Sequence, residues 1–259
     1  MSSTLRAAAA AFLAQVKNAL VSHAFWFTLG LQPVIFTTLA YLSLHFTGRE
    51  ELLGRSVIGA GLVGLWNCSL WSTGYVVESE RREGTLELAF VAPVPLLVQV
   101  FSKVLADACL AGGALVVALL WSWLALGFLP HIAAPVLFSA TAAMTVIAVS
   151  CLGLLIANAF VLSRAAGRLA EVCNYPVYIL SGLMFPLSIL PAWTRPLSYI
   201  LAPTWAMAGL EAAAAGDARG VAVALAAQAG LAALYLLVAR ALYASVHARV
   251  RRAGSLGVF

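Results

Sequence analysis

Ten carboxylates are spread over the 259 residues, and four of them, Glu78, Glu80, Glu83 and Glu87, fall within one short stretch. Clustered carboxylates can hold a divalent cation or perform acid–base chemistry. Here they are interleaved with Arg81 and Arg82, and neither His nor Asp stands among them. That pattern favours charge pairing over metal binding. In a helix, Glu80, Glu83 and Glu87 share one face. Gly84-Thr85 offers a bend, with Thr85 placed to cap a short helix from Leu86 to Val91, and Pro93 and Pro95 end it. A short rigid charged element suits docking to a partner, where charge pairs set register. The plainer alternative is an ordinary solvated loop.

Other chemistry-bearing residues are few. Asp107 lies four residues after Lys103, the spacing of an ion pair on one helix face. Glu171 follows Arg164 and Arg168 and reads as an interfacial anchor. Asn67, Asn158, Asn174 and Gln228 are neutral polar residues in apolar surroundings, where bonds between helices are their usual role. His45 and His131 have no partner at catalytic or metal spacing. Cys68, Cys109, Cys151 and Cys173 form no CxxC pair and read as small buried side chains. No metal site is expected. A G-x-x-x-x-G-K-[ST] phosphate loop is absent, as is any Gly-Lys dipeptide.

The elements that carry these residues are dictated by hydrophobicity. The chain is 63% hydrophobic and 10% charged, against about 25% charged in a soluble domain. Asp, Glu, Lys and Arg are all missing from Ala108 to Ser163. A soluble fold cannot hide such a run; a bilayer takes it as two passes of about 20 residues each. The net charge of +5 then reflects basic loops facing the cytoplasm, not nucleic-acid binding.

The expected fold is an all-α membrane protein with six transmembrane helices, forming one domain over residues 1–259. The spans run about Phe25 to Phe46, Ser56 to Val77, Val104 to Leu129, Pro135 to Leu162, Val172 to Leu190 and Val221 to Tyr243. With both termini inside, Arg6, Lys17, Arg81, Arg82, Lys103, Arg164, Arg168, Arg240, Arg249, Arg251 and Arg252 are cytoplasmic. Arg49, Arg55, Arg195 and Arg219 are outside, a strong positive-inside bias. Leu5, Ala9, Phe12, Val16 and Leu20 form one helical stripe, so residues 1–22 read as a helix in the cytoplasmic interface. Nothing there has the shape of a cleavable signal peptide. Residues 191–217 are broken by Pro191 and Pro196 but hold Trp193, Tyr199, Trp205 and Met207, and read as outer re-entrant helices.

The run Arg82-Glu83-Gly84-Thr85-Leu86-Glu87, followed by Pro93 and by Lys103 at the next helix, resembles the signature of ABC-2 type transporter permeases. The pattern Ser181-Gly182-Leu183-Met184-Phe185-Pro186 with Leu190-Pro191 is similar to that family's fifth span. The charged loop resembles the drug-exporter and lipo-oligosaccharide branches more than the polysaccharide branch. The resemblance implies that residues 78–95 hold the coupling helix, with Glu80, Arg82, Glu83, Gly84, Thr85, Glu87 and Pro93 contacting an ABC ATPase subunit. It implies a second permease copy, making a homodimer, in a bacterial plasma (inner) membrane. The chain itself would carry no cofactor and no catalytic residue; ATP and Mg2+ would sit on the partner subunit. In the family the second and fifth spans line the substrate path, which here would involve Trp66, Asn67, Leu70, Trp71, Asn174, Tyr178 and Met184. The cargo would be amphipathic: a drug-like molecule, a lipid or a lipid-linked glycan.

Two other classes compete. A polytopic membrane enzyme of the acyl or prenyl transferase type needs an interfacial Asp, Glu or His cluster, and the only acidic cluster here is arginine-laced. An ion-driven secondary transporter needs midplane carboxylates in repeated halves, and neither is evident.

Overall fold

A computed structural model describes residues 3–82, 96–161, 166–184 and 186–253, with side chains for 4–49, 51–70, 98–157, 172, 174–184 and 186–243. The described residues are overwhelmingly helical and contain no strand. The helices are α1 (Ser3–Val21), α2 (His23–Trp26), α3 (Gln32–Phe46), α4 (Leu53–Arg82), α5 (Leu96–Ala111), α6 (Gly113–Leu124), α7 (Pro135–Val161), α8 (Ala166–Leu180), α9 (Arg195–Tyr199), α10 (Ala202–Ala215) and α11 (Ala218–Ala253).

Four stretches among the described residues are long and apolar enough to cross a bilayer: His23–Phe46, Val98–Leu124, Pro135–Ala157 and Ala218–Tyr243. The first joins α2 to α3 through a π-helical turn, Phe27–Leu31, just before Pro33. Proline cannot donate a backbone hydrogen bond, so a widened turn beside it is a natural accommodation. The second is nearly continuous, with α5 and α6 meeting at Gly112.

α4 is the hub. It packs against α3, α5, α6, α7, α8 and α10, and Val57 to Leu70 are buried on every side. Three glycines permit this density. A Cβ on Gly61 would lie 2.7 Å from the Leu115 Cα of α6, and one on Gly64 would lie 2.8 Å from Pro33 Cγ and Ala114 Cβ. At Gly59 it would collide with the Leu183 carbonyl oxygen. Small residues that bring backbones together are how membrane helices gain contact where lipid is as apolar as protein.

Several expected boundaries move. The third span begins earlier, with α5 at Leu96, and its helix ends at Leu124 rather than Leu129. The expected fifth span, 172–190, ends as a helix at Leu180. Gly182 then takes a left-handed φ of 76°, and 3-10 turns follow at Leu187–Ile189 and Ala192–Thr194. α4 continues through Glu78, Glu80 and Arg81 to Arg82, so the start of the charged loop extends the helix.

α1 covers most of residues 1–22, and its buried side follows the apolar stripe only in part. Leu5 and Leu20 are exposed and Ala9 faces outward, while Phe12 and Val16 are half-buried. The partly buried side of α1 carries Ala8, Ala11, Gln15 and Ala19 beside Phe12 and Val16, and small residues there let α1 approach α5. The 191–217 region is helical in α9 and α10. α10 is a core helix lodged against α7, α11 and α4, with Met207 and Leu210 fully buried. A Cβ on Gly209 would lie 2.8 Å from both Ala224 Cβ and Thr141 Cγ2. Gln228 of α11 secures the junction, donating to the Trp205 carbonyl at 3.3 Å and accepting from the Thr145 hydroxyl at 3.2 Å.

Candidate functional site: the seam between α4 and α8

Four of the residues expected along a substrate path meet where α4 packs on α8. Asn174 and Tyr178 are one turn apart on α8 and face Trp66 and Asn67 of α4. An indole N–H can only donate, and this sets the direction of the whole chain of bonds. Trp66 Nε1 donates to Asn174 Oδ1 at 2.9 Å. The Asn174 amide nitrogen therefore points the other way and donates to Asn67 Oδ1 at 2.6 Å. The Tyr178 hydroxyl donates to that same Asn67 oxygen.

All four side chains are buried, Asn67 to 1% exposure. In apolar surroundings an unpaired amide is costly, so the network holds α4 and α8 in one register. Pro176 stands on α8 between the two polar residues and leaves one turn without its usual backbone bond. Tyr175, the neighbour of that proline, turns outward, its ring edge-on to Tyr178 at 6.2 Å.

The remaining expected residues are distributed as follows. Leu70 is buried on α4, one turn beyond the network. Met184 is exposed, past the end of α8. Trp71 belongs to α4, but its side chain lies outside the described set. Glu80 and Arg82 are at the end of α4 and their side chains are likewise outside it. Glu83, Gly84, Thr85, Glu87 and Pro93 lie outside the described residues. So do the side chains of Asn158, Arg164, Arg168, Glu171 and Cys173.

Asp107 is on α5, buried to 1% exposure, with Lys103 one turn earlier and half-buried. Its carboxylate accepts from Gln15 Nε2 at 3.0 and 3.1 Å. This tie between α1 and α5 was missed by sequence reasoning. Its signal is a lone polar residue in a row of alanines, Ala8, Ala11 and Ala19. A second missed contact joins Arg55 of α4 to Glu211 of α10, residues too far apart in sequence for spacing to pair them.

An all-helical bundle with membrane-length apolar helices and polar residues paired inside it is an integral membrane protein. The sequence matches the family model for the ABC-2 type transporter over residues 6–214, and the chain belongs to that family. It is thus the membrane permease component of an ABC transporter, a class that works with a separate ABC ATPase subunit. No curated protein matches the chain.

Proposed function

We propose that this chain is the permease subunit of an ABC exporter that moves an amphipathic substrate: a drug-like molecule, a lipid or a lipid-linked glycan. The observation that carries the reading is the family match over residues 6–214, which spans both the charged loop and the α4–α8 seam. Two copies form a homodimer in a bacterial inner membrane, each crossing six times with both termini cytoplasmic. The four apolar spans are joined by α4 and α8. α4, at about 1.5 Å per residue, is about 45 Å long and exceeds the hydrocarbon thickness. α8 is shorter, and the turn after it completes the crossing. The distribution of basic residues supports this orientation.

Residues 78–95 dock the ATPase, through Glu80, Arg82, Glu83, Gly84, Thr85, Glu87 and Pro93. ATP and Mg2+ bind on that partner, and closure of the ATPase pair pushes on the loop and so on the adjoining end of α4. The α4–α8 seam responds, and its opening brings Trp66, Asn67, Leu70, Trp71, Asn174 and Tyr178 within reach of substrate, alongside the already exposed Met184. Lys103 and Asp107 pair near the cytoplasmic edge, beside Gln15.

The test is co-expression with the candidate ATPase and purification in lipid nanodiscs. Glu83→Lys and Gly84→Pro are expected to lose ATPase docking or its coupled hydrolysis while the permease stays folded and inserted. Variants that dock and hydrolyse like wild type would remove the coupling role from this loop. A wild type that binds no ABC ATPase would reopen the enzyme and secondary-transporter readings.

A further inference from the structure

The Arg55 end of α4 carries a second tie across the same seam. Arg55 is partly buried and uses both prongs of its guanidinium. Nη1 donates to Glu211 Oε1 of α10. Nη2 donates to the Gly182 carbonyl at 2.9 Å, in the turn that ends α8. Gly182 is held in a left-handed conformation that glycine alone adopts freely. The next residue, Leu183, is buried with its carbonyl against Gly59, so the turn lies flush on α4. One side chain thus fastens three elements, α4, the end of α8 and α10, at a single point.

The pair is partly withdrawn from solvent on both sides, which strengthens the attraction over that of an open surface pair. A planar fork with a carboxylate on one prong and a carbonyl on the other is also a contact that lysine cannot reproduce.

We propose that Arg55 is the outer latch of the permease: its paired contacts to Glu211 and Gly182 close the α4–α8 seam at the far end from the charged loop. Release of substrate requires them to break. The inference rests on the permease reading above. The central network and this latch then act in series, one at mid-helix and one at the exit.

The test uses the full chain in nanodiscs with Leu183→Cys as reporter, labelled by a membrane-impermeant maleimide and corrected for the parent chain without the reporter. Labelling rate follows the population of the open seam. The reporter thiol is expected to be protected in the otherwise wild-type chain, and Arg55→Glu to raise labelling by about tenfold or more. The exchange Arg55→Glu with Glu211→Arg restores most of the protection, and Arg55→Lys falls between. If Arg55→Glu does not fold, Arg55→Gln keeps a donor for Gly182 and removes the charge, and a smaller rise is expected. Labelling at the wild-type rate in these single variants overturns the latch, as does an exchange that restores nothing.

This arm needs no ATPase, so the two readings fail separately. A chain that binds no ABC ATPase loses the permease reading while its labelling pattern still reports the tie. An ATPase that binds and turns over ATP without raising labelling of the reporter, with Arg55 and Glu211 intact, overturns the role of the latch as a gate.

Discussion

Asn67→Leu is the most informative single change in the seam, because Asn67 Oδ1 accepts two bonds at once. Leucine is of similar size, so the packing is roughly kept while the acceptor vanishes. The Asn174 amide and the Tyr178 hydroxyl each lose that acceptor inside the buried seam and keep only each other as neighbours there. Hydrogen bonds between membrane helices are worth about 0.6 to 1.7 kcal/mol, so the expected loss is about 1–3 kcal/mol. Tyr178→Phe breaks one of the two bonds and leaves Asn67 with its other donor, so its cost is about half. Tyr175→Phe removes a hydroxyl from an exposed neighbour and is expected to be neutral within about 0.5 kcal/mol. The decisive quantity is the double variant. Asn67→Leu already removes the Tyr178–Asn67 bond and leaves Tyr178 only Asn174 beside it, so the pair together should cost clearly less than the sum of the two, by about 0.5 kcal/mol or more. Reversible unfolding in mixed micelles, titrated with SDS and followed by circular dichroism, measures all four. Strict additivity of the two changes, or a Tyr175→Phe as costly as Tyr178→Phe, would refute the network.

Two further outcomes follow from close packing and from the α1 tie. Gly61→Ala places a Cβ against the Leu115 backbone and should cost about 1–3 kcal/mol in the same titration. Gly230→Ala on α11 meets nothing within 4 Å and should stabilise by about 0.5–1 kcal/mol; a reversed order would show that α4 does not pack this closely. Gln15→Leu leaves the buried Asp107 carboxylate without the amide that faces it from α1. Amide exchange over residues 3–21 should then accelerate by about tenfold, with a smaller rise for Asp107→Asn, which still offers an oxygen to Gln15. Unchanged exchange would mean that the alanine row alone holds α1 in place.

The sequence made the membrane class legible because hydrophobicity and charge are summed over long windows, and a run such as Ala108 to Ser163 has no soluble explanation. It also placed Trp66, Asn67, Asn174 and Tyr178 among the residues of interest, through the family resemblance. What it concealed are the features set by pairing between distant helices. Arg55 read as one of four outer-side basic residues, and nothing in the spacing joins it to Glu211. Gln15 sat in a helix read from one apolar stripe, whereas the packed side takes only Phe12 and Val16 of that stripe and adds Ala8, Ala11, Gln15 and Ala19. In lipid large apolar residues gain little by burial, so Leu5 and Leu20 stay exposed and small residues share in setting the face. α10 looked interfacial for a similar reason. Its Trp205 and Met207, after Pro191 and Pro196, suggested a shallow helix, while Gly209 let it sink between α7 and α11.

The contacts of α4 restrict how it can move in any transport cycle. Along one helix the order is Arg55, the three glycines, the Trp66–Asn67 pair and then the charged end at Arg82. Rotation by a single residue would bring Ala60 or Leu62 to the place of Gly61, where even a Cβ meets the Leu115 backbone at 2.7 Å. The same holds at Gly64 against Pro33 and Ala114. Rotation about the helix axis is therefore sterically blocked on the α3 and α6 side. On the α8 side the restraints are three hydrogen bonds in the central network, the Arg55 fork and the close seat of the Leu183 carbonyl on Gly59; that seat also opposes rotation, but all of them give way without overlap when the helices part. A push delivered at the Arg82 end should therefore carry α3, α4 and α6 as one unit and part that unit from α8. Spin labels on α4, α6 and α8 of the nanodisc complex test this. The α4–α8 distance should lengthen on ATP binding while the α4–α6 distance holds, and the opposite pattern would mean that the glycine contacts, not the polar seam, give way.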